Sequence, residues 1–225
     1  MTLTKIVPIT SKDAIDTALV ALAANTAIVA PTDTVYGIMC LYNEAAAIAH
    51  LYAAKDRPPM KAIPVLIGAT IQLPLLTPEP IAPMASALME AFWPGALTIV
   101  LPALPLLPTV LTAGQPTVGV RMPNHTELLA LLRQSGPLAA TSANRSGGPE
   151  THTTAEVMDQ LGGRFPLLLS DPALDAAPHL DAQASTVIAI ADATDSIPRI
   201  LRSGPIAAAV CAFLATHFGV QCSLA

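Results

Sequence analysis

Charge and aromatic surface are both scarce in this 225-residue sequence, in which 12% of residues are charged and 4% aromatic. So few aromatics argue against a platform that stacks the bases of single-stranded nucleic acid. A formal net charge of −5, from 11 basic and 16 acidic residues, disfavours a surface that grips phosphate backbones over a wide area. Cys40, Cys211 and Cys222 form no CxxC pair, and the histidines at 50, 125, 152, 179 and 217 are scattered, which excludes an evident zinc or disulfide framework. The opening MTLTKIVPITSKD lacks the basic start and apolar run of a secretion signal, so a cytoplasmic protein is expected.

What the chain has in quantity is apolar material: 52% hydrophobic residues and a mean hydropathy of +0.55, enough for one sizeable core. The longest uncharged run, from Ala91 to Val120, exceeds the roughly 20 residues of a membrane-spanning helix. Pro94, Pro102, Pro105, Pro108 and Pro116 break it, each at about 3 kcal/mol inside a helix, so no membrane association is expected.

Alternation, apolar runs and breakers predict strands over Thr26–Ala30, Ala62–Ile67, Leu97–Leu101, Val118–Arg121, Leu138–Ala140, Leu167–Leu169, Thr186–Ile190 and Ile200–Arg202. Helices are predicted over Glu44–Ala54 with Asn43 as cap, Ala82–Phe92, His125–Gln134, Thr154–Leu161 beginning near Thr153, and Pro205–Ala215 with proline in its first turn. With no repeat and no low-complexity linker, the expectation is a single domain over residues 1–225: an α/β fold with an open, twisted, mixed sheet and flanking helices. The stretches Gly68–Pro83 and Asp171–Ala184 read as surface loops.

Four segments hold most of the polar information. Pro31-Thr32-Asp33-Thr34-Val35-Tyr36-Gly37 follows a predicted strand, where its hydroxyls and acid either meet a small polar ligand or close a local turn. Lys55-Asp56-Arg57-Pro58-Pro59-Met60-Lys61 puts three of the chain's eleven basic residues into seven positions: an anion site, or favourable charge at a helix end. Arg121 ends the apolar strand TVGVR, either pairing with a substrate carboxylate or leaving the core into solvent. Thr141-Ser142-Ala143-Asn144-Arg145-Ser146-Gly147-Gly148 is a small-residue loop whose amides could approach an anion, although its spacing matches neither the P-loop nor GxGxxG. No nucleophile constellation is present. The residues alone thus reach an anion site built from Lys55, Arg57, Lys61, Arg121, Ser142 and Asn144, without naming a reaction.

Taken in order, PTDTVYG, KDRPPMK, FWPGALTIVL, TVGVRMP, PLAATSANRSGG, STVI and ILRSGPI resemble the YrdC-domain family, the threonylcarbamoyl-AMP synthases, over about residues 26–206. The resemblance implies a concave, positively lined cavity and a reaction that joins L-threonine, bicarbonate and ATP into threonylcarbamoyl-AMP and pyrophosphate. Magnesium is expected with the nucleotide. The product feeds threonylcarbamoyladenosine modification of tRNA, which implies downstream transferase components as partners and indirect or weak contact with tRNA. It also implies catalytic roles for Lys55, Arg57, Ser142 and Asn144, further nucleotide contacts from Lys61, Thr117 and Arg202, and threonine contacts from Thr32, Arg121 and Ser185. The chain resembles the single-domain form of the family. It departs at Leu66, where many members carry histidine, and at Ser170-Asp171-Pro172 and Ala184, where a DGG-type turn and an acidic residue are usual. A paralogue that binds nucleotide or structured RNA without synthase activity is the alternative.

Overall fold

The computed structural model describes residues 3–56, 61–179, 181–190 and 197–224. Eleven strands form one sheet: β1 (Lys5–Pro8), β2 (Ile28–Ala30), β3 (Gly37–Leu41), β4 (Val65–Leu66), β5 (Leu97–Pro102), β6 (Thr117–Arg121), β7 (Leu138–Ser142), β8 (Leu167–Ser170), β9 (Thr186–Ala189), β10 (Arg199–Arg202) and β11 (Ser223–Leu224). Their order across the sheet is β1-β8-β2-β3-β7-β4-β6-β5-β9-β10-β11. Pairs β2/β3, β3/β7, β7/β4, β6/β5 and β9/β10 are antiparallel and the rest parallel, so the sheet is mixed, as expected. The helices are α1 (Ala14–Ala23), α2 (Ala45–Ala54), α3 (Pro83–Phe92), α4 (Thr109–Thr112), α5 (Thr126–Ser135), α6 (Thr154–Leu161), α7 (Pro172–Ala176) and α8 (Ala207–Phe218).

Period-two alternation sorts the strand residues onto the two faces of the sheet. Val29, Ile38, Val65, Ala139 and Leu168 join a core roofed by α2, α3, α6 and α8. Their chain neighbours Ile28, Met39, Leu66, Leu138 and Leu167 join a second core, roofed by α1 and α5. Strands buried on both faces read as continuous apolar runs rather than as alternation. At 25 cal/mol per Å² of apolar surface, such burial stabilises each Ile, Val or Leu by about 1.5–3 kcal/mol.

The second roof covers only part of its face. β5 and β6 give Leu97, Ile99, Val118 and Val120 to the first core, while Thr98, Val100, Thr117, Gly119 and Arg121 line an open cavity on the other side. About half a face of the sheet, with no helix over it among the described residues, is therefore the cavity floor.

Several elements differ from the sequence expectation. Residues before Thr26 form β1 and α1, whose buried Ala14, Ala18 and Leu22 follow an i, i+4, i+8 stripe within an almost wholly apolar segment. β3 follows the PTDTVYG turn directly. The strand predicted over Ala62–Ile67 shrinks to Val65–Leu66, because Pro64 has no N–H for the ladder. Residues 70–75 form a 3₁₀ turn within the first expected loop. The second expected loop contains α7, whose cap Asp171 accepts from the amides of Ala173 and Leu174. Glu44, not Asn43, occupies the N-cap of α2 and makes no side-chain cap bond. The last helix starts at Ala207, beyond Pro205, and runs to Phe218. α6 starts as expected, on a Thr153/Glu156 capping box. No described helix is long and apolar enough to cross a membrane.

Candidate active site

The cavity has a volume of about 420 Å³ and lies over the uncovered half-sheet, with Thr32, Thr117, Arg121, Ser142, Ser185 and Arg202 among its lining residues. All six are among the candidate site residues named above. Its charged lining residues are Arg121 and Arg202, and no carboxylate lines it among the described residues, so it suits anions.

Arg202 reaches the floor through a break in register. Strict alternation from Ile200, which faces the first core, would send Arg202 the same way. A register shift between Ile200 and Arg202 sets Arg202 opposite Val187, a cavity residue. There its Nε donates to the Ser185 carbonyl at 2.8 Å and its Nη2 to Ser185 Oγ at 3.0 Å. Ser185 Oγ also lies 2.8 Å from Thr98 Oγ1. Thr98 was not anticipated; a hydroxyl within the apolar strand LTIVLP was the available signal. Gly204 closes this corner, because a Cβ there would stand 2.4 Å from the Thr186 amide nitrogen and 2.5 Å from the Ala184 oxygen.

The turn between β2 and β3 forms a second wall. Thr32 Oγ1 accepts from the amides of Thr34 at 3.0 Å and Val35 at 3.2 Å, and donates to the Val35 carbonyl at 2.7 Å. The hydroxyl therefore closes a local turn and lines the cavity as well, which joins the two readings of the segment. Arg121, 6% exposed, donates from Nε to the Gly95 carbonyl at 3.0 Å, from Nη1 to Thr34 Oγ1 at 3.0 Å and from Nη2 to Asp33 Oδ1 at 2.6 Å. Burial lowers its proton affinity below the arginine norm; Asp33 opposes that effect and the positive charge of Arg202 adds to it. Arginine stays charged regardless.

The third wall is the loop after β7. Ser142 Oγ donates to Asn144 Oδ1 at 2.6 Å, and Asn144 Nδ2 donates to the Gly148 carbonyl at 2.7 Å. Lys55, the C-cap of α2, is 2% exposed. Its Nζ donates to the Ser142 carbonyl, to the Asn144 carbonyl at 2.6 Å and to Asn144 Oδ1 at 3.1 Å. The loop thus turns carbonyls toward a buried ammonium, where the sequence suggested amides turned toward an anion. Lys55 and Asn144 stand behind Ser142 and do not line the cavity, while Lys61 is exposed and also outside the lining. Arg57 lies outside the described residues. Leu66 lines the cavity.

A second cavity of about 270 Å³ lies against the same turn and is lined by residues including Asp33, His125, His152, Asp171 and His179. His125 Nε2 is 3.4 Å from Asp171 Oδ2. The Tyr36 hydroxyl accepts from the Asp171 amide at 2.9 Å, and burial pushes its phenol above the usual range. No group of three His, Cys, Asp or Glu side chains is placed to hold a metal ion among the described residues.

An open mixed sheet with one face half uncovered, and two arginines and several hydroxyls on that floor, defines an α/β protein with an anion-receiving cleft. Residues 20–204 match the Sua5/YciO/YrdC family model, described as "Telomere recombination". The chain belongs to that family. It is 42% identical over 188 residues to the threonylcarbamoyl-AMP synthase of Bacillus subtilis, covering 82% of this chain and 51% of that one. A Klebsiella pneumoniae threonylcarbamoyl-AMP synthase is 34% identical over 152 residues, covering 66% of this chain and 80% of its own. The solved structure of Pyrococcus abyssi Sua5 complexed with L-threonine superposes with a TM-score of 0.84 at 29% identity, covering 100% of this chain and 62% of that one. The chain thus spans about half the length of the Bacillus relative.

Proposed function

We propose that the chain is a cytoplasmic threonylcarbamoyl-AMP synthase, a nucleotidyltransferase that supplies an activated threonylcarbamoyl group for tRNA modification. The observation that carries this reading is that Arg121 and Arg202 share one cavity floor on which no described residue places a carboxylate, in a chain 42% identical to a relative of that name. The threonine amine and bicarbonate combine to a carbamate with loss of water. A carbamate oxygen attacks the α-phosphorus of ATP, the bond to the β-phosphate oxygen breaks, and pyrophosphate leaves.

Each reactant carries an anionic group, so catalysis requires holding like charges together. In this reading Arg202, Thr117 and Ser142 face the nucleotide, with Lys61 and Arg57 contributing cations from the KDRPPMK segment. Arg121, Thr32 and Ser185 face threonine. Lys55 and Asn144 act through Ser142, holding its loop in shape. Orienting the reactants contributes about 7–11 kcal/mol to lowering the barrier, and fixed donors around the developing charge contribute further. Magnesium enters as part of the nucleotide substrate: the described lining offers hydroxyls but no carboxylate to hold it, so no step is assigned to a resident metal.

The test is pyrophosphate release by purified protein with ATP, magnesium and bicarbonate, comparing threonine, serine, valine and no amino acid, with the adenylate identified by mass. Threonine-dependent product supports the reading. Leu66, an apolar side chain where many family members carry histidine, favours one second reading: a paralogue that binds nucleotide without making the adenylate. ATP binding with no product under any amino acid would establish that alternative.

A further inference from the structure

We infer that Asp33 is a positioning residue: from outside the substrate cavity, its carboxylate sets the direction in which Arg121 presents its remaining N–H groups to an amino-acid carboxylate. This rests on the reading of Arg121 as the group that receives threonine.

Asp33 and Arg121 sit on opposite sides of one wall. Arg121 lines the main cavity and Asp33 does not; Asp33 lines the second cavity, behind the β2–β3 turn. Their side chains are 15% and 7% exposed, respectively, and Nη2 meets Oδ1 at 2.6 Å, a short charge-assisted bond. Asp33 therefore acts through Arg121 and not on the substrate.

A guanidinium has five N–H groups. Asp33, Thr34 and the Gly95 carbonyl take three of them, one from each nitrogen. Among the described residues this leaves one N–H on each terminal nitrogen, two donors of the kind a carboxylate accepts. Of the three anchors only Asp33 carries charge, and its charge has a task. Arg202 also lines the cavity and its positive charge acts against that of Arg121. Without Asp33, the buried Arg121 would face the positive charge of the more exposed Arg202 across one cavity floor with no opposing charge, and would gain by turning away. With Asp33 behind it, the guanidinium stays directed inward. The opposing effect is repulsion between Asp33 and the bound carboxylate. It is the weaker one, because the guanidinium stands between them and the second cavity admits solvent to Asp33.

The experiment is calorimetric titration of the full chain, wild type and Asp33→Asn, with L-threonine and with L-threoninol, which replaces the carboxylate by a hydroxymethyl group. The substituted amide keeps the size and one acceptor oxygen but loses the charge. The wild type is expected to prefer threonine, and D33N to lose roughly tenfold or more of that preference while threoninol and ATP bind as before. The conservative Asp33→Glu should recover part of it. A purely structural role would weaken both amino-acid ligands equally and leave the ratio unchanged; an unchanged or larger ratio overturns the inference. A wild type that does not distinguish threonine from threoninol overturns instead the reading of Arg121 as the threonine receiver, and the inference with it.

Discussion

Lys55 Nζ meets Asn144 twice, at the backbone carbonyl at 2.6 Å and at Oδ1 at 3.1 Å, so a cation at the end of α2 holds the loop that follows β7. The third donor goes to the Ser142 carbonyl, and Ser146 N returns a bond to the Lys55 carbonyl at 3.0 Å. An ammonium carries three N–H groups, and these three acceptors lie within their reach. Lys55→Met keeps the stem but strands the carbonyls. The expected loss is roughly 2–4 kcal/mol, since each hydrogen bond to a charged group contributes about 1.5–3 kcal/mol and the loop relaxes in part. At about 2–4 °C per kcal/mol for a chain of this size, thermal unfolding should fall by about 4–16 °C. An unchanged melting temperature would show that the loop does not depend on Lys55.

Asn144 needs both ends of its amide. Oδ1 accepts from Ser142 Oγ and from Lys55, while Nδ2 donates to the Gly148 carbonyl at 2.7 Å. Asn144→Asp keeps the acceptor but turns an anionic oxygen toward a carbonyl. The loss is expected to be about 1–3 kcal/mol, set against about 1 kcal/mol for Ser142→Ala, which leaves the Lys55 and Gly148 bonds in place. Urea unfolding of the two variants checks the order: the aspartate should be the less stable, and a reversed order would show that the Gly148 bond contributes little.

The sequence made the walls of the site legible and, through the family resemblance, the floor residues Thr117, Arg121, Ser185 and Arg202, but not the gap in the helical layer that opens the floor. PTDTVYG, TVGVR and ATSAN each stand at a strand end, and β3, β7, β4 and β6 lie side by side in the sheet, so polar residues read separately meet in space. The floor exists because α1 and α5 stop short of β5, β9 and β10, and that depends on tertiary placement which no local pattern carries. α1 itself was hidden because AIDTALVALA is apolar on nearly every side, leaving little periodic contrast. The bulge at Arg202 likewise has no signature in RILR. For Lys55 the charge run was visible but its partners were not, since they are the carbonyls of a loop 87 to 89 positions away.

Gly204 tests whether the Arg202 corner is as tight as its contacts imply. A methyl group there would meet the Thr186 amide nitrogen, the Ala184 oxygen and the Ser185 carbonyl carbon, at 2.4, 2.5 and 2.7 Å. All three are backbone, so no side chain can swing aside. Gly204→Ala is expected to cost roughly 1–3 kcal/mol through displaced backbone and to loosen the two Arg202–Ser185 bonds. Differential scanning calorimetry measures the first effect and ATP titration the second. Wild-type values in both would mean that the 203–206 segment yields freely.

Cys40 provides a prediction in pH. It lies in β3 with no exposed surface, and burial pushes its thiol up to about 12 from an ordinary value near 9. The native state therefore holds the proton more tightly than the unfolded chain does. Its contribution to stability is complete below pH 9 and is lost as the pH rises from about 9 to 12, where the unfolded thiol ionises and the folded one does not. The same shift leaves roughly a thousandfold less thiolate than an ordinary cysteine at a given pH, and thiolate is the form that alkylates. Iodoacetamide at about pH 8, just below the ordinary thiol range, should leave Cys40 unmodified in the native chain and label it in urea, with peptide mass identifying the site. Native labelling of Cys40 at the rate of the unfolded chain would show that β3 opens readily, contrary to its place between β2 and β7.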